Sequence, residues 1–206
     1  SRMEQRIQQP LTPAQHNRAR DLQQRWCEQR LSKFNPPRES PVPAEAFVLV
    51  VDQSAGDCSI GLGQAGPESF RRMLQEALRD QPDCLVVVKV HPDVIRGRAR
   101  GHFRRQDLQH PRIRICADGL HPAALLEQAH AVYVVTSQMG FEALLWGRTV
   151  HCFGMPFYAG WGLTHDRLPA PVRRGQMVPL EALVHAALVA GTRCVAVSYT
   201  HLRAHE

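Results

Sequence analysis

The 206 residues suffice for one large domain or two small ones, with a core that buries roughly 70% of the unfolded surface. With 44% hydrophobic and 21% charged residues the chain is not disordered, collagen-like or coiled-coil, and no run nears the roughly 20 apolar residues of a membrane helix. A formal charge of +6 admits a phosphate-bearing partner without choosing among nucleic acid, anionic lipid and nucleotide.

The N-terminus, Ser1-Arg-Met-Glu-Gln5, lacks the apolar core of a signal peptide, and the six cysteines are scattered singly without a C-x-x-C pair. A reducing cytoplasm is the expected location. Of the 25 basic residues only Lys33 and Lys89 are lysines, so a compact ammonium at these two positions stands out against 23 arginines.

Apolar residues at Leu22, Trp26 and Leu31 predict a helix over 12–31, which Pro36 and Pro37 stop. Four prolines over 35–43 read as a linker, so 1–43 is expected to be an N-terminal helix and Pro-rich linker. Short apolar runs predict strands over 46–52, 84–90, 113–117, 131–136 and 150–153, of the kind buried on both faces of a parallel sheet. Pro67 opens a helix whose Phe70, Met73, Leu74, Ala77 and Leu78 share one face, and further helices are predicted over 122–128, 138–146 and 180–189. The alternation assigns 44–192 to an α/β domain, a Rossmann-like parallel sheet with helices on both faces. The last residues, 193–206, continue no pattern and read as a non-native tail; the abrupt ends suggest a piece of a longer protein.

In a parallel sheet, ligands bind beyond the carboxyl ends of the strands, which directs attention to four places. After the second strand, Lys89 and His91 share a face and Pro92 ends the strand, a cation and an imidazole suited to a phosphate; snorkelling by Lys89 and capping by His91 explain them equally well. After the fourth, Thr136, Ser137 and Gln138 open a helix at which Ser137 is the expected N-cap, either assisting a bound phosphate or capping alone, with Gly140 allowing close backbone approach. After the first, Asp52 and Asp57 offer two carboxylates on one loop, for nucleophilic and acid/base work at a sugar or for holding the turn, with Gln53 between them a candidate contact for the sugar or base. After the fifth, Phe157, Tyr158 and Trp161 lie among glycines, to stack on a base or sugar ring or to fold inward as a small core.

Arginines at 96, 98, 100, 104, 105, 112 and 114 form a basic segment, but without interleaved aromatics, helix-turn-helix or zinc spacing it is poor evidence for nucleic acid; such runs are commonly solvated faces, and an anionic membrane or lipid acceptor is the other partner open to it. The 11 histidines lack metal-ligand spacing, so no metal is expected.

Four strings carry a family resemblance: Asp52-Gln-Ser-Ala-Gly-Asp57, Val88-Lys-Val-His-Pro-Asp-Val94, Thr136-Ser-Gln-Met-Gly-Phe-Glu-Ala-Leu-Leu145 and His151-Cys-Phe-Gly-Met-Pro-Phe-Tyr-Ala-Gly-Trp-Gly-Leu-Thr164. Together, over about 31–189, the chain resembles capsule polysaccharide biosynthesis and export proteins of the KpsC/LipB type. The resemblance implies the nucleotide-binding half of a GT-B glycosyltransferase, a retaining β-Kdo transferase that takes Kdo from CMP-Kdo to a phosphatidylglycerol-type lipid. It places the protein in the cytoplasm, peripheral to the inner membrane, among other capsule assembly proteins. His91-Pro92 corresponds to the family's HP motif and Ser137 to its serine motif, both gripping the CMP phosphate. The nucleophile is Asp57 or Asp52, with Asp57 favoured by the freedom of Gly56. Glu142 is a candidate for supporting the groups that touch the donor or for acid/base work. His91, Lys89 and the helix start stabilise the departing cytidylate without a cofactor. A non-catalytic nucleotide- or polysaccharide-binding module in capsule export is the alternative.

Overall fold

The run Phe47–Val51 (β1) contains no polar side chain and is buried at every position, as required of a strand covered on both faces. In this computed structural model, which describes residues 1–33, 35–90, 94, 96, 98, 100–116 and 120–191, β1 lies inside a six-stranded sheet. Its other strands are β2 (Leu85–Lys89), β3 (Ile113–Cys116), β4 (Ala131–Val134), β5 (Thr149–Cys152) and β6 (His165–Asp166), in the order β3-β2-β1-β4-β5-β6. Every neighbouring pair is parallel, with Val51 opposite Lys89 and Val50 opposite Tyr133. The five predicted strands are all present. β6 was not predicted: two residues inside the glycine-rich aromatic segment are too few to show a period.

Side-chain alternation splits the core in two. Phe47, Leu49, Val51, Val87, Val132, Val134 and Val150 face one layer, while Val48, Val50, Val86, Val88 and Tyr133 face the other. The second layer is covered by the helix Pro67–Asp80, which buries Phe70, Met73, Leu74 and Ala77 at the predicted spacing. Full burial of side chains such as Phe70 and Met73, both 0% exposed, contributes about 2 kcal/mol apiece. Arg112, from the basic segment, donates to the Leu78 and Gln81 carbonyls at that helix's C-terminal end, where a cation satisfies otherwise unpaired acceptors.

The first layer is covered by several helices. In chain order the α-helices among the described residues are α1 (Arg2–Ile7), α2 (Pro13–Glu28), α3 (Cys58–Leu62), α4 (the Pro67–Asp80 helix), α5 (Ala123–Gln128), α6 (Met139–Leu145) and α7 (Leu180–Val184), the last continuing as a π-helical turn over His185–Ala190. α1 and α3 were not predicted. Six and five residues are too short for a periodic stripe, although α1 does carry a Ser1/Glu4 capping box. Ile7 of α1 and Ala19 of α2 join the same buried cluster as β1 and α6, and the N-terminal segment packs on the helices α6 and α7 and the π-helical turn that follows.

The proline-rich stretch after α2 is pinned beside the sheet. Glu39 pairs with His121 as an isolated parallel bridge, Ser40 N–H donates to the His121 carbonyl (2.9 Å) and His121 N–H to the Arg38 carbonyl (2.8 Å). That pairing carries residues from the end of α2 across to the carboxyl ends of the strands.

Candidate functional site

Strand order reverses between β1 and β4, and beyond their carboxyl ends the loops diverge to leave a crevice. A cavity of about 350 Å³ opens there, within the range of small-molecule sites. It is lined from β1 by Asp52, Gln53, Asp57 and Ser59, from β2 by Lys89, and from β4 and α6 by Thr136, Ser137, Gln138, Met139 and Glu142. Ser32 and Lys33 close one wall and Phe157 contributes an aromatic surface. Both lysines of the chain therefore meet in one cavity, while no arginine among the described residues lines it. A second hollow of about 590 Å³ lies beside the edge strand β3, lined by Pro43, Leu85, Arg114 and Ile115; it holds none of the predicted site residues.

Asp52 and Asp57 have different work. Asp52 is buried at 4% exposure, and its Oδ1 accepts from the main-chain N–H groups of Gln53 (2.9 Å) and His102 (3.1 Å), tying two loops together. Asp57 follows Gly56, whose φ of 88° only a glycine adopts readily, and stands at the start of α3 with Oδ1 accepting from Ser59 N–H at 2.9 Å. Burial pushes the Asp57 pKa up. The Ser59 main chain and hydroxyl, the Gln53 amide and the Lys33 charge outweigh it and hold the carboxyl below its ordinary range. It is an exposed, ionised carboxylate on the cavity wall.

Gln53 is a brace. Its Oε1 accepts from Thr136 N–H at 2.9 Å, and its Nε2 donates to Thr136 Oγ1 at 3.0 Å and to Asp57 Oδ2 at 3.3 Å. Ser59, not singled out from the sequence, closes the network with Oγ at 3.0 Å from Thr136 Oγ1; its place two residues after a capping aspartate was the available signal. These bonds lock the β1 loop to the β4 loop.

Ser137 differs from its expected position. The N-cap of α6 is Gln138, and the Ser137 hydroxyl accepts from Met139 N–H at 3.3 Å. That bond uses one of its two lone pairs and leaves the hydroxyl its proton to donate. Gln138 is exposed at the mouth and Thr136 is buried within the brace.

Lys89 ends β2 at 7% exposure, its Nζ donating to Ser40 Oγ (3.3 Å) and the Leu120 carbonyl (3.4 Å). His91 and Pro92 lie outside the described residues, as does the 193–206 tail. Glu142 is 1% exposed and accepts from Ser32 Oγ at 2.6 Å and Lys33 N–H at 3.1 Å. Burial raises its pKa, with these two donors and the Lys33 charge partly opposing, so its protonated form is favoured relative to an ordinary glutamate.

Tyr158 and Trp161, expected to stack on a base or sugar, are corrected by the structure. Both are 0% exposed. The Tyr158 hydroxyl donates to the Ser137 carbonyl, and Trp161 Nε1 donates to the Phe157 carbonyl at 2.9 Å. Their polar atoms are spent on the chain itself and their rings on the core, which leaves neither face for a ligand. The half-buried Phe157 is the aromatic that reaches the cavity. Among the described residues no His, Cys, Asp or Glu group has the makings of a metal site, and no helix is long and apolar enough to cross a membrane.

Comparison with known proteins gives a consistent result. The family model for "Capsule polysaccharide biosynthesis protein" matches residues 2–201. Capsule polysaccharide modification protein LipA of Neisseria meningitidis serogroup A is 41% identical over 166 residues, covering 77% of this chain and 23% of LipA. Among solved structures, Thermosulfurimonas dismutans KpsC, beta Kdo 2,4 transferase, superposes with a TM-score of 0.82 at 38% identity over 90% of this chain and 59% of that one. The beta Kdo 2,7 transferase of the same KpsC gives 0.64 at 29% identity, over 86% of this chain and 53% of that one. The chain thus spans about a quarter of LipA and just over half of each KpsC structure.

Proposed function

The chain belongs to the capsule polysaccharide biosynthesis protein family, and we propose that its cavity binds the cytidylate part of CMP-Kdo so that Kdo passes to a lipid-linked acceptor. One observation carries this reading: both lysines, Asp57, Glu142 and the turn 136–138 converge on one cavity where the strand order reverses. The likeness to two structures described as β-Kdo transferases supports it.

In this reading Lys89 supplies charge to the cytidylate phosphate and Ser137 donates its remaining proton, while Phe157 offers an apolar surface to the rest of the donor. Asp57, held ionised, attacks the anomeric carbon. Its oxygen forms a bond to that carbon as the bond to the phosphate oxygen breaks, and CMP departs. The acceptor hydroxyl then attacks the same carbon, the bond to Asp57 breaks, and the hydroxyl proton passes to a carboxylate, for which Glu142 is the candidate. Two displacements give retention. The acceptor in this proposal is a phosphatidylglycerol-type lipid on the inner membrane, met from the cytoplasmic side together with other capsule assembly proteins.

Thermal unfolding with and without CMP tests the binding step. At a concentration one-hundred-fold above Kd, ligand linkage stabilises by about 2.7 kcal/mol, a rise of roughly 5–10 °C for a chain of this size. A folded sample whose melting temperature ignores saturating CMP contradicts the reading. CMP stabilisation without any Kdo transfer supports a binding module in place of an enzyme.

A further inference from the structure

Lys33 is one of two lysines in a chain that otherwise uses arginine, and a cinched loop presents it to the cavity. Ser32 N–H donates to Asn35 Oδ1 (2.9 Å) and Asn35 Nδ2 returns the bond to the Ser32 carbonyl (2.7 Å), while Asn35 Oδ1 lies 3.1 Å from His121 Nε2. The buried Glu142 carboxylate holds the loop from the other side, through Ser32 Oγ and Lys33 N–H. The Lys33 main chain is therefore fixed. Its exposed side chain carries an ammonium whose charge is felt by both Asp57 and Glu142.

The chemistry of the donor sets a charge problem in this cavity. An ulosonic acid bears a carboxylate on the anomeric carbon itself, in addition to the phosphate that leaves from it. A nucleophilic Asp57 must approach that carbon, so one carboxylate advances on another in a cavity that also holds Asp52. Like charges at such separation repel strongly where water is displaced. Lys89 comes from the end of β2, bonded to Ser40 and Leu120, whereas Lys33 comes from the loop clamped on α6 and is the lysine electrostatically coupled to Asp57. A compact ammonium on a flexible stem can follow the carboxylate as the sugar ring flattens, which a planar guanidinium fork does less readily.

We propose that Lys33 is the specificity-determining residue that recognises the carboxylate of the donor sugar, leaving Lys89 to the phosphate. This rests on the CMP-Kdo reading of the site above.

Calorimetric titration of the full chain with CMP and, separately, with CMP-Kdo tests the assignment in wild type, Lys33→Met and Lys33→Arg. Lys33→Met keeps the main-chain bond to Glu142 and the apolar stem, so its melting temperature is expected to match wild type. Its CMP affinity is expected to stay within about twofold, while CMP-Kdo binding weakens by about tenfold or more, the scale of one charge-assisted contact. Lys33→Arg is expected to recover part of that loss. Unchanged CMP-Kdo affinity in Lys33→Met overturns the inference and leaves the cytidylate reading standing, as does an equal loss for both ligands, which would assign Lys33 to the phosphate. Wild type that binds neither ligand overturns the cytidylate reading, and the inference with it.

Discussion

The Tyr158 hydroxyl donates to the Ser137 carbonyl, tying the aromatic loop after β5 to the turn that opens α6. Burial keeps the Tyr158 proton on its oxygen well above the usual phenol range, so the bond persists at any working pH. Gly140 permits it: a methyl group there would stand 2.3 Å from the Tyr158 hydroxyl oxygen and 2.9 Å from a ring carbon. Tyr158→Phe is expected to cost about 1 kcal/mol in urea unfolding. Gly140→Ala is expected to cost about 1–3 kcal/mol by overpacking a buried ring and to weaken CMP binding by displacing Ser137. CMP affinity unchanged in Gly140→Ala would separate the turn from the ligand.

Asp57 both caps α3 and faces the cavity, and two substitutions separate the roles. Asparagine caps a helix as well as aspartate does, whereas alanine loses about 1 kcal/mol. Asp57→Asn is therefore expected to unfold within about 0.5 kcal/mol of wild type while Kdo transfer falls by roughly a hundredfold or more. Asp57→Ala is expected to lose stability and transfer together. Transfer retained in Asp57→Asn would remove Asp57 as nucleophile.

Glu142 can be read through pH. Its folded pKa is raised, so its contribution to stability is fully present below the ordinary glutamate pKa and is lost as pH rises through the folded value. The stability of wild type relative to Glu142→Gln is thus expected to decline as pH rises from about 4.5. Glu142→Ala, which leaves Ser32 Oγ and Lys33 N–H without their acceptor, is expected to cost about 2–3 kcal/mol. A pH-independent difference between wild type and Glu142→Gln would show that Glu142 titrates normally.

His151 has the opposite sign. It stacks between Tyr133 (4.4 Å) and His165 (4.9 Å), and burial first, then the Arg167 and His165 charges, lower its pKa to about 4. The unfolded chain binds this proton more readily, so the contribution is present above pH 6.5 and is lost as pH falls toward 4. Melting curves over that window are expected to slope less in His151→Gln than in wild type. Parallel slopes would contradict the assignment.

The strands were legible because a doubly covered parallel sheet writes itself as unbroken apolar runs, and β1, expected over 46–52, spans Phe47–Val51. The candidate site's location follows from topology, since Lys89 ends a strand and Asp57 and Ser137 sit in the loops beyond two others. Lys33 was conspicuous by its rarity, but only folding brings it to Glu142, 109 residues away in sequence. The aromatic loop left stacking on a ligand and folding inward both open because irregular backbone has no period to tell inward from outward; Tyr158 and Trp161 fold inward, and Phe157, their neighbour, is the one of the three that reaches the cavity.

Amide chemical shifts during a CMP titration report most directly on whether this cavity is a cytidylate site. Saturable changes clustered at Gln53, Asp57, Lys89 and residues 136–139 are the expected result. No change at saturating CMP, or changes confined to the arginine segment of residues 96–114, would contradict it.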